Sequence, residues 1–494
     1  MQAAALYDQG LTLSAQGRHL DAIERFEAAL AEAPDDPRIL FALGHTAGAL
    51  GMPGPAELFY RRVLALEPGR IEALVNLANL LRANGQFEAA IALLEPVAAA
   101  PEVALTLGSA HREKGDEANA VRCYRAALAA RPGYVPALVN LADLLCDAGA
   151  RAEARTLYDA ALRAEPGNAQ ARLNRAILHF LNGDLKEGWR DYEARSEVPG
   201  KLPATALRLP AWRGGSLKRT RLLVRAEQGV GDQILFASLI PGLAARAAAD
   251  GGSVLLECEP RLVSLFARSF PGVTVKPAVL KSVHGQVVAD HGWLRQAGGA
   301  TAMIAMGSLP RYLRPRIESF PAPHRFLVPD AEEAARWKSR FGERAVGLCW
   351  RSGKAGGHRA IQYAPLEGWA AFLRDLPGTP VCVQYDATAD EIAALEAISG
   401  RKIVVPDGIS QKQELDRACA LLSALEAVVS APTAVSWLAA GAGVPTFKIL
   451  YDTSWTALGQ AYEPFAPSCV CVMPQHRGDW TDTFAKARAL IARP

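Results

Sequence analysis

The chain has 494 residues, of which 50% are hydrophobic and 21% are charged, and its formal net charge at pH 7 is +3. A charge balance this close to zero is not typical of a nucleic-acid-binding protein or of a protein held at a membrane surface. No run of roughly 18 apolar residues exists, so no membrane span is expected, and the length predicts about three domains.

The eight cysteines are scattered, and no pair has the spacing of zinc ligands. Free, mostly buried thiols in a reducing compartment are therefore expected. The amphipathic N-terminus is typical of a helical repeat rather than of a signal peptide. Together these features predict a cytoplasmic protein without a metal site.

Glycines recur in the first 200 residues at spacings of 34, 34, 30, 34 and 34 residues, at Gly17, Gly51, Gly85, Gly115, Gly149 and Gly183. A small residue lies seven positions before each of them. A large side chain follows most of them by nine, at Phe26, Tyr60, Leu94, Tyr124 and Tyr158, and a proline closes each of these five units. Several positions that recur together at this period predict stacked helical hairpins. The pattern resembles the tetratricopeptide repeat (TPR) family, with a shortened second helix in the third unit and about six units in all.

A second series with the same period contains Asn76, Asn140 and Asn174, which stacking would align on one face. In the TPR family this position faces the concave groove. An amide both donates and accepts hydrogen bonds, so such a ladder predicts a grip on the backbone of an extended acceptor peptide. The alternative is that each amide bonds a neighbouring helix or water, and Ala42 and Thr106 interrupt the series.

After Tyr192 the repeat pattern ends, and strand-like runs alternate with helical stretches, which predicts parallel sheets covered by helices. The expected strands are Arg221–Arg225, 254–258, 345–350, 381–384, 403–405, Ala427–Ser430 and Thr446–Ile449, and the expected helices include 233–248, 261–270, 332–341 and 483–492. The predicted organisation is a TPR domain at 1–195, a linker at 196–220, a Rossmann-like acceptor-side domain at 221–335 and a Rossmann-like donor-side domain at 336–494. Ligands of such sheets bind at the carboxyl ends of the strands.

The first strand of this half leads into Glu227, Gly229, Gly231 and Asp232, followed by a helix. A single G-x-G without the third glycine is weak support for a dinucleotide site. Asp232 is either a helix cap or a general base at the floor of a cleft. Glu227 is either a group that orients this base or a solvated loop carboxylate, and the two glycines are candidate acceptor contacts.

The stretch from Gly231 to Pro241 resembles the G-D…P element of ADP-heptose-type glycosyltransferases, which have the two-domain GT-B fold. The strand-loop at 346–354 and the segment SAPTAVSWLAAGAGVP at 430–445 resemble their donor-binding elements. The resemblance implies that Asp232 is the base. Two positions depart from the group, because Pro432 replaces its Asp and Trp437 replaces its His.

A donor phosphate needs backbone N–H groups and positive charge, and the helix expected to begin near Thr433 supplies free N–H groups. The predicted donor-binding residues are Arg351, Ser352, Lys354, His358, Arg359, Pro432, Thr433 and Ala434. The alternative for the cationic part is a solvated basic loop. No D-x-D triplet occurs in this half, so a metal-independent transferase is expected.

Repeats joined to such a transferase resemble the bacterial proteins that glycosylate flagellin on Ser or Thr. The resemblance implies transfer of a sugar from a nucleotide-sugar, with CMP-linked pseudaminic acid as a candidate donor, to a protein recruited by the repeats, with flagellin as the suspected partner. No separate cofactor is expected. The alternatives are a TPR scaffold with a degenerate GT-B domain and, less favoured, a nicotinamide-dependent oxidoreductase. The sequence does not indicate an oligomeric state.

Overall fold

The computed structural model describes residues 2–227, 229–283, 286–322, 325–353 and 362–492. The chain forms two compact units, Met1–Ala171 and Arg172–Pro494. No helix among the described residues is both long and apolar enough to cross a membrane. Lys354, His358 and Arg359 of the predicted basic loop lie outside the described residues.

The first unit is a solenoid of antiparallel helix pairs, which confirms the predicted TPR architecture. Its helices are α1 (Gln2–Ala15), α2 (His19–Glu32), α3 (Pro37–Ala49), α4 (Pro53–Leu66), α5 (Ile71–Ala83), α6 (Phe87–Leu94), α7 (Pro101–Lys114), α8 (Glu117–Ala130), α9 (Val135–Asp147) and α10 (Arg151–Ala164). The helix α6 has 8 residues where α2 and α4 have 14, as the shortened third unit predicts. All six glycines of the 34-residue series have φ between 71° and 94°, a range that non-glycine residues rarely adopt.

Close packing within each helix pair explains the small residue that precedes the turn. A Cβ added to Gly108 would lie 2.7 Å from the Tyr124 ring, and one added to Gly44 would lie 2.9 Å from the Tyr60 ring. Real Cβ atoms do not approach a ring this closely, so in these two helix pairs the aromatic ring occupies the space that a Cβ of the first helix would need. The sequence spacing of glycine and aromatic residue therefore encodes the helix–helix distance.

The second unit begins with helices and continues with alternating strands and helices. The helices are α11 (Ala169–Leu181), α12 (Leu185–Tyr192), α13 (Val230–Ala237), α14 (Ile240–Ala249), α15 (Val263–Ser269), α16 (Leu309–Leu313), α17 (Ala331–Phe341), α18 (Leu366–Arg374), α19 (Ala389–Ser399), α20 (Leu415–Ser423), α21 (Ala434–Gly441) and α22 (Trp480–Ile491). The strands are β1 (Ala204–Thr205), β2 (Arg221–Arg225), β3 (Ser253–Cys258), β4 (Thr274–Pro277), β5 (Val279–Val283), β6 (Gln286–Asp290), β7 (Ala302–Ala305), β8 (Ala345–Cys349), β9 (Thr379–Cys382), β10 (Ala427–Ser430), β11 (Thr446–Ile449) and β12 (Cys469–Val472).

Two parallel sheets form the core of this unit. The first has the strand order β4-β3-β2-β7, and the second has the order β12-β11-β10-β8-β9. Both orders are those of doubly wound α/β folds, in which the chain reverses its direction of progression across the sheet at one point. That point lies between β2 and β7 in the first sheet and between β8 and β10 in the second. The predicted α/β character of this half is confirmed.

Three local predictions differ from the structure. The helix expected at 233–248 is two helices, because Pro241 has no N–H to donate and its ring would clash with the carbonyl of Ala237. The segment expected as a linker packs on the first sheet, where the buried Trp212 donates its backbone N–H to the carbonyl of Met303 over 2.8 Å. The strand expected at 403–405 is reduced to one bridge between Val404 and Val381.

The sixth predicted repeat, α11 and α12, packs against the α/β part of the second unit through aromatic side chains. The ring of Phe180 lies 4.2 Å from that of Trp189 and 5.6 Å from that of Trp455, and Trp189 also meets Phe465 edge-on. Edge-to-face and tilted aromatic contacts at these distances stabilise beyond the area that they bury. From Arg172 onward, this hairpin therefore shares its core with the α/β fold.

We expect Gly108→Ala to destabilise the solenoid by about 1–3 kcal/mol, because the new methyl group would overlap the Tyr124 ring within a fixed helix pair. Gly69→Ala is the matched control, since a Cβ there meets no atom within 4 Å and the residue has no positive φ. Urea unfolding followed by circular dichroism measures both. Equal stability of the two variants would contradict the packing argument.

Candidate functional site

The candidate site lies where the chain-reversal points of the two sheets face each other. The loop after β2 leads into α13, and the loop after β10 leads into α21. The first turns of these helices are in contact, since a Cβ added to Gly231 would lie 3.5 Å from Cδ1 of Trp437 and 3.7 Å from Cα of Ala434. Ligands of doubly wound sheets bind at such points, outside the carboxyl ends of the strands.

Asp232 occupies the third position of α13, and its Oδ2 accepts the backbone N–H of Gly229 over 3.2 Å. Burial raises the pKa of its carboxyl, and the nearby carboxylate of Glu227 raises it further, whereas the Gly229 N–H and Lys201 act in the opposite direction. The helix-cap role and the proton-accepting role are therefore compatible in one residue. A carboxylate with a raised pKa in a cleft has the property that a general base needs.

Glu227 is 3% exposed and forms a buried ion pair with Arg195, which is 1% exposed. Nε and Nη2 of Arg195 donate to the two carboxylate oxygens over 2.8 and 2.9 Å, and the Gly307 N–H donates to one of them. Arg195 Nη2 also donates to Ser308 Oγ over 2.8 Å. Glu227 is thus buried rather than solvated, and it acts on the pKa of Asp232 as a nearby negative charge. Its predicted role in orienting the base stays a prediction.

The amino end of α21 is the candidate anion site. Thr433 caps the helix by accepting the Val435 N–H at Oγ1 over 3.3 Å, and Ala434 is the first helical residue. The first turn of a helix leaves N–H groups without an intrahelical acceptor, and the helix dipole favours negative charge there. Pro432 precedes the cap, is exposed, and has no N–H of its own. The predicted donor-binding role of these residues stays a prediction.

The Arg351 guanidinium, predicted as a cation for the donor, is held by two carboxylates. Its Nε and Nη2 donate to the two oxygens of Glu391 over 2.6 and 2.8 Å, and Nη1 donates to Asp386 over 3.0 Å. Burial alone would raise the pKa of Glu391, but the hydrogen bonds from the Arg351 guanidinium outweigh it and the pKa falls to about 2. Arg351 therefore ties the loop after β8 to the loop after β9, and its contact with a donor stays a prediction, as does that of Ser352.

Gln384 completes this connection between the two loops. Its Oε1 accepts the N–H groups of Trp350 and Arg351, each over 3.0 Å, and it lies 3.4 Å from the Cys349 thiol. Burial raises the pKa of that thiol to about 11, so it remains protonated at neutral pH. The Sγ atom of Cys349 lies 3.6 Å from Oγ1 of Thr433. The end of β8 and the start of α21 are thereby fixed relative to each other.

In the first unit, the Asn76 amide is half-buried and donates to Tyr60 Oη of the preceding repeat over 3.2 Å. These two residues line a pocket of 240 Å³ together with His45 and Leu80. At this position the amide bonds a neighbouring helix, which was the alternative to peptide binding. Asn140 in this unit and Asn174 in the second unit are also half-buried, and their peptide-binding role stays a prediction.

Two ion pairs of the second unit were not anticipated from the sequence. Arg195 and Glu227 are 32 residues apart, and the buried pair of Lys448 and Glu463 is 15 residues apart. A lysine inside the hydrophobic strand TFKI is the one local sign of the second pair, because buried lysines need a partner. Among the described residues, no group of three or more His, Cys, Asp or Glu is arranged to hold a metal ion.

Comparisons with known proteins agree with the repeat architecture and extend over the whole chain. Tetratricopeptide repeat family models match residues 7–71, 49–102 and 111–173. Protein FlbA of Caulobacter vibrioides is 32% identical over 488 residues, which cover 96% of this chain and 82% of FlbA. The chain belongs to the FlbA family. The family relationship therefore includes the α/β unit as well as the repeats.

Other similarities are narrower. Cellulose synthase operon protein C of Xanthomonas axonopodis pathovar citri is 29% identical over 274 residues, which cover 50% of this FlbA-family chain and 18% of that protein. The TPR protein TTC0263 of Thermus thermophilus matches with 25% identity, a TM-score of 0.32, and coverage of 36% of this chain and 100% of its own. The pilF protein of Pseudomonas aeruginosa matches with 21% identity, a TM-score of 0.35, and coverage of 40% and 93%. Because these TM-scores are below 0.5, the assignment of the first unit as a TPR solenoid depends on its helix geometry and on the TPR family models.

We expect Arg195→Met to lower the free energy of unfolding by about 3–5 kcal/mol, because it leaves the Glu227 carboxylate buried without its partner. The double variant Arg195→Met/Glu227→Gln should recover a large part of this loss, since Gln still accepts the Gly307 N–H without a charge. Arg190→Met, which breaks an exposed pair with Glu187, should cost less than about 1 kcal/mol. If all three variants unfold at the same urea concentration, the buried pair does not organise this loop.

Asp232→Asn should stabilise the fold at neutral pH. Because the folded-state pKa of the wild-type carboxyl is raised, ionisation opposes folding, and the wild-type free energy of unfolding falls as the pH rises through the window between the unfolded and folded pKa values. The advantage of the variant should therefore shrink as the pH is lowered from neutral towards the ordinary aspartate pKa of 3.8. Melting temperatures over this range measure it.

Asp250→Asn is the control of opposite sign. The Leu217 N–H and the Ser216 hydroxyl hold the pKa of Asp250 below its usual value, so its ionised form stabilises the fold at neutral pH and this contribution is lost in acid. Asp250→Asn should therefore destabilise at neutral pH. A destabilising effect of Asp232→Asn at pH 8 would show that burial is not the dominant influence on that carboxyl.

Proposed function

We propose that this FlbA-family protein is a metal-independent O-glycosyltransferase of the GT-B type that modifies a protein acceptor recruited by its TPR repeats. The observation that supports the proposal is the contact between the first turns of α13 and α21, in which Gly231, the residue before Asp232, lies against Ala434 and Trp437. Two doubly wound sheets with facing chain-reversal points are what a GT-B cleft requires. The resemblance of 231–241 and 430–445 to ADP-heptose-type transferases supports the same assignment.

In the proposed reaction, a nucleotide-sugar lies with its phosphates at the amino end of α21. The oxygen of a Ser or Thr hydroxyl of the acceptor forms a bond to the anomeric carbon of the sugar while the bond from that carbon to the phosphate oxygen breaks. Asp232 takes the hydroxyl proton, and the nucleotide leaves with the bonding electrons. The free N–H groups of α21 stabilise the negative charge that develops on the leaving group.

The identities of donor and acceptor in this proposal come from resemblance. Flagellin is the proposed acceptor, and a CMP-linked nonulosonic acid such as pseudaminic acid is the proposed donor. Replacement of the heptose-group Asp and His by Pro432 and Trp437 supports a changed donor, since neither residue offers a side chain that carries charge. The TPR repeats supply a surface of the kind that binds proteins.

A scaffold without transfer activity is the second candidate, and the Arg351 geometry favours it. Since Glu391 and Asp386 hold this guanidinium, less positive charge is available for a donor. Burial of Trp437 removes another position that contacts the donor in the resembling group. A scaffold would bind its protein partner equally well with and without Asp232.

The deciding experiment is a thermal-shift titration of the full chain with CMP, ADP, UDP and GDP. A ligand of the folded state raises the melting temperature by mass action, and we expect one of these nucleotides to do so at millimolar concentration. Thr433→Val should abolish the shift, because it removes the hydroxyl and the cap at the proposed phosphate site. Thr388→Val is the control, since it removes the equivalent cap of α19.

Transfer to the acceptor is then followed by the mass increase of purified flagellin incubated with the nucleotide-sugar of the nucleotide that binds. Asp232→Asn should keep the nucleotide shift and lose about 10²–10⁴-fold in transfer rate. If no nucleotide shifts the melting temperature and the Asp232 variant still binds its partner, the protein acts as a scaffold.

A further inference from the structure

A row of polar side chains runs across the second sheet beneath the start of α21. The strand register places Cys349, Ser430, Lys448 and Cys471 side by side on four neighbouring strands. Lys448 is 2% exposed. A charge buried inside a strand destabilises a protein unless it is fully paired, so this lysine calls for a structural reason.

Its partner is Glu463, which is fully buried and accepts a hydrogen bond from the Lys448 ammonium. The same carboxylate oxygen accepts from Thr456 Oγ1 over 2.9 Å and from the Cys471 thiol over 3.5 Å. Burial alone would lower the pKa of Lys448, but the Glu463 carboxylate outweighs it and raises the pKa above its usual value. The lysine is therefore a permanent cation at a fixed position.

That cation lies over the face of Trp437. The Lys448 Nζ is 4.2 Å from the centroid of the indole ring, which is close enough for a strong cation–π contact in a desolvated site. The ring is 7% exposed, and its Cδ1 edge faces Gly231, the residue before Asp232. Trp437 is thus held on one face by the cation, while its edge borders the first turn of α13, which carries the proposed base.

Gly231 lies in the first turn of α13, directly against the indole ring. It does not have a positive φ, so no left-handed turn requires glycine there. A Cβ added at this position would make ordinary van der Waals contact with Trp437 and Ala434, at 3.5–3.9 Å. The first turn of α13 therefore packs against both the indole ring and the amino end of α21.

We propose that Trp437 is a positioning residue of the cleft, held in place by the buried Lys448–Glu463 pair, and that it fixes the separation of Asp232 from the amino end of α21.

Hydrogen–deuterium exchange of the ligand-free full chain tests the positioning role. Trp437→Ala should raise the exchange rate of amides in 229–237 by about tenfold, because α13 loses its contact with α21. Trp437→Phe should largely restore protection, since a ring remains over Lys448. Trp369→Ala is the control, because Trp369 is buried in a separate core cluster with Phe372 and Phe484, and it should leave 229–237 unchanged.

The double variant Lys448→Met/Glu463→Gln tests the role of the ion pair. Removing both charges leaves no unpaired ion, so the variant should fold with a melting temperature near that of the wild type. It should nevertheless show faster exchange in 229–237, because the ring has lost its cation. Wild-type exchange in that segment, or the same change in Trp369→Ala as in Trp437→Ala, would overturn the proposal.

If the wild-type protein binds no nucleotide, the proposed function fails, while the exchange experiment still decides the positioning role of Trp437.

Discussion

The candidate site depends on one interaction, the buried ion pair between Arg195 and Glu227. Both side chains are almost completely removed from water, which is tolerated only because each of their charged groups is bonded. Arg195 gives hydrogen bonds to Glu227, to Ser308 and to the carbonyl of Tyr192, whose ring also lies 4.6 Å from the guanidinium. Arg195 follows the last repeat-like helix hairpin, and Glu227 begins the loop that leads to Asp232. The pair therefore joins the end of the repeat pattern to the first sheet at the edge where a ligand would bind.

This anchoring has an electrostatic consequence for Asp232. Burial raises the pKa of the Asp232 carboxyl, and the Glu227 carboxylate fixed at the start of the loop raises it further. Ionisation of Asp232 therefore opposes folding, an arrangement that is common at sites where a raised pKa serves proton transfer. The raised pKa is compatible with the proposed role of Asp232 as a base.

The repeats were predictable because their packing is local. Gly108 and Tyr124 lie 16 residues apart on one helix pair, and the turn glycine between them has a left-handed conformation that the sequence period marks directly. Strands such as β2 and β10 were predictable for the same reason, since a short buried apolar run identifies them. The partner of a buried charge was not predictable, because the sheet topology and not the local sequence brings Arg351 to Glu391 over 40 residues. The sequence therefore identified the positive charge of Arg351 but not the carboxylates of Glu391 and Asp386 that pair with it.

The departures of this chain from the resembling transferases are connected through the structure. The Arg351 guanidinium is paired with Glu391 and Asp386 and joins the loops after β8 and β9, whereas the sequence predicted it as a cation for the donor. Trp437 lies over Lys448, which is paired with Glu463, so a buried aromatic ring and ion pair stand where the resembling group has a histidine. Since a charge removed from its partner is strongly destabilising, these pairs resist stepwise loss. Among the described residues, the anion-binding role of the proposed transferase therefore falls to the amino end of α21, where N–H groups lack an intrahelical acceptor.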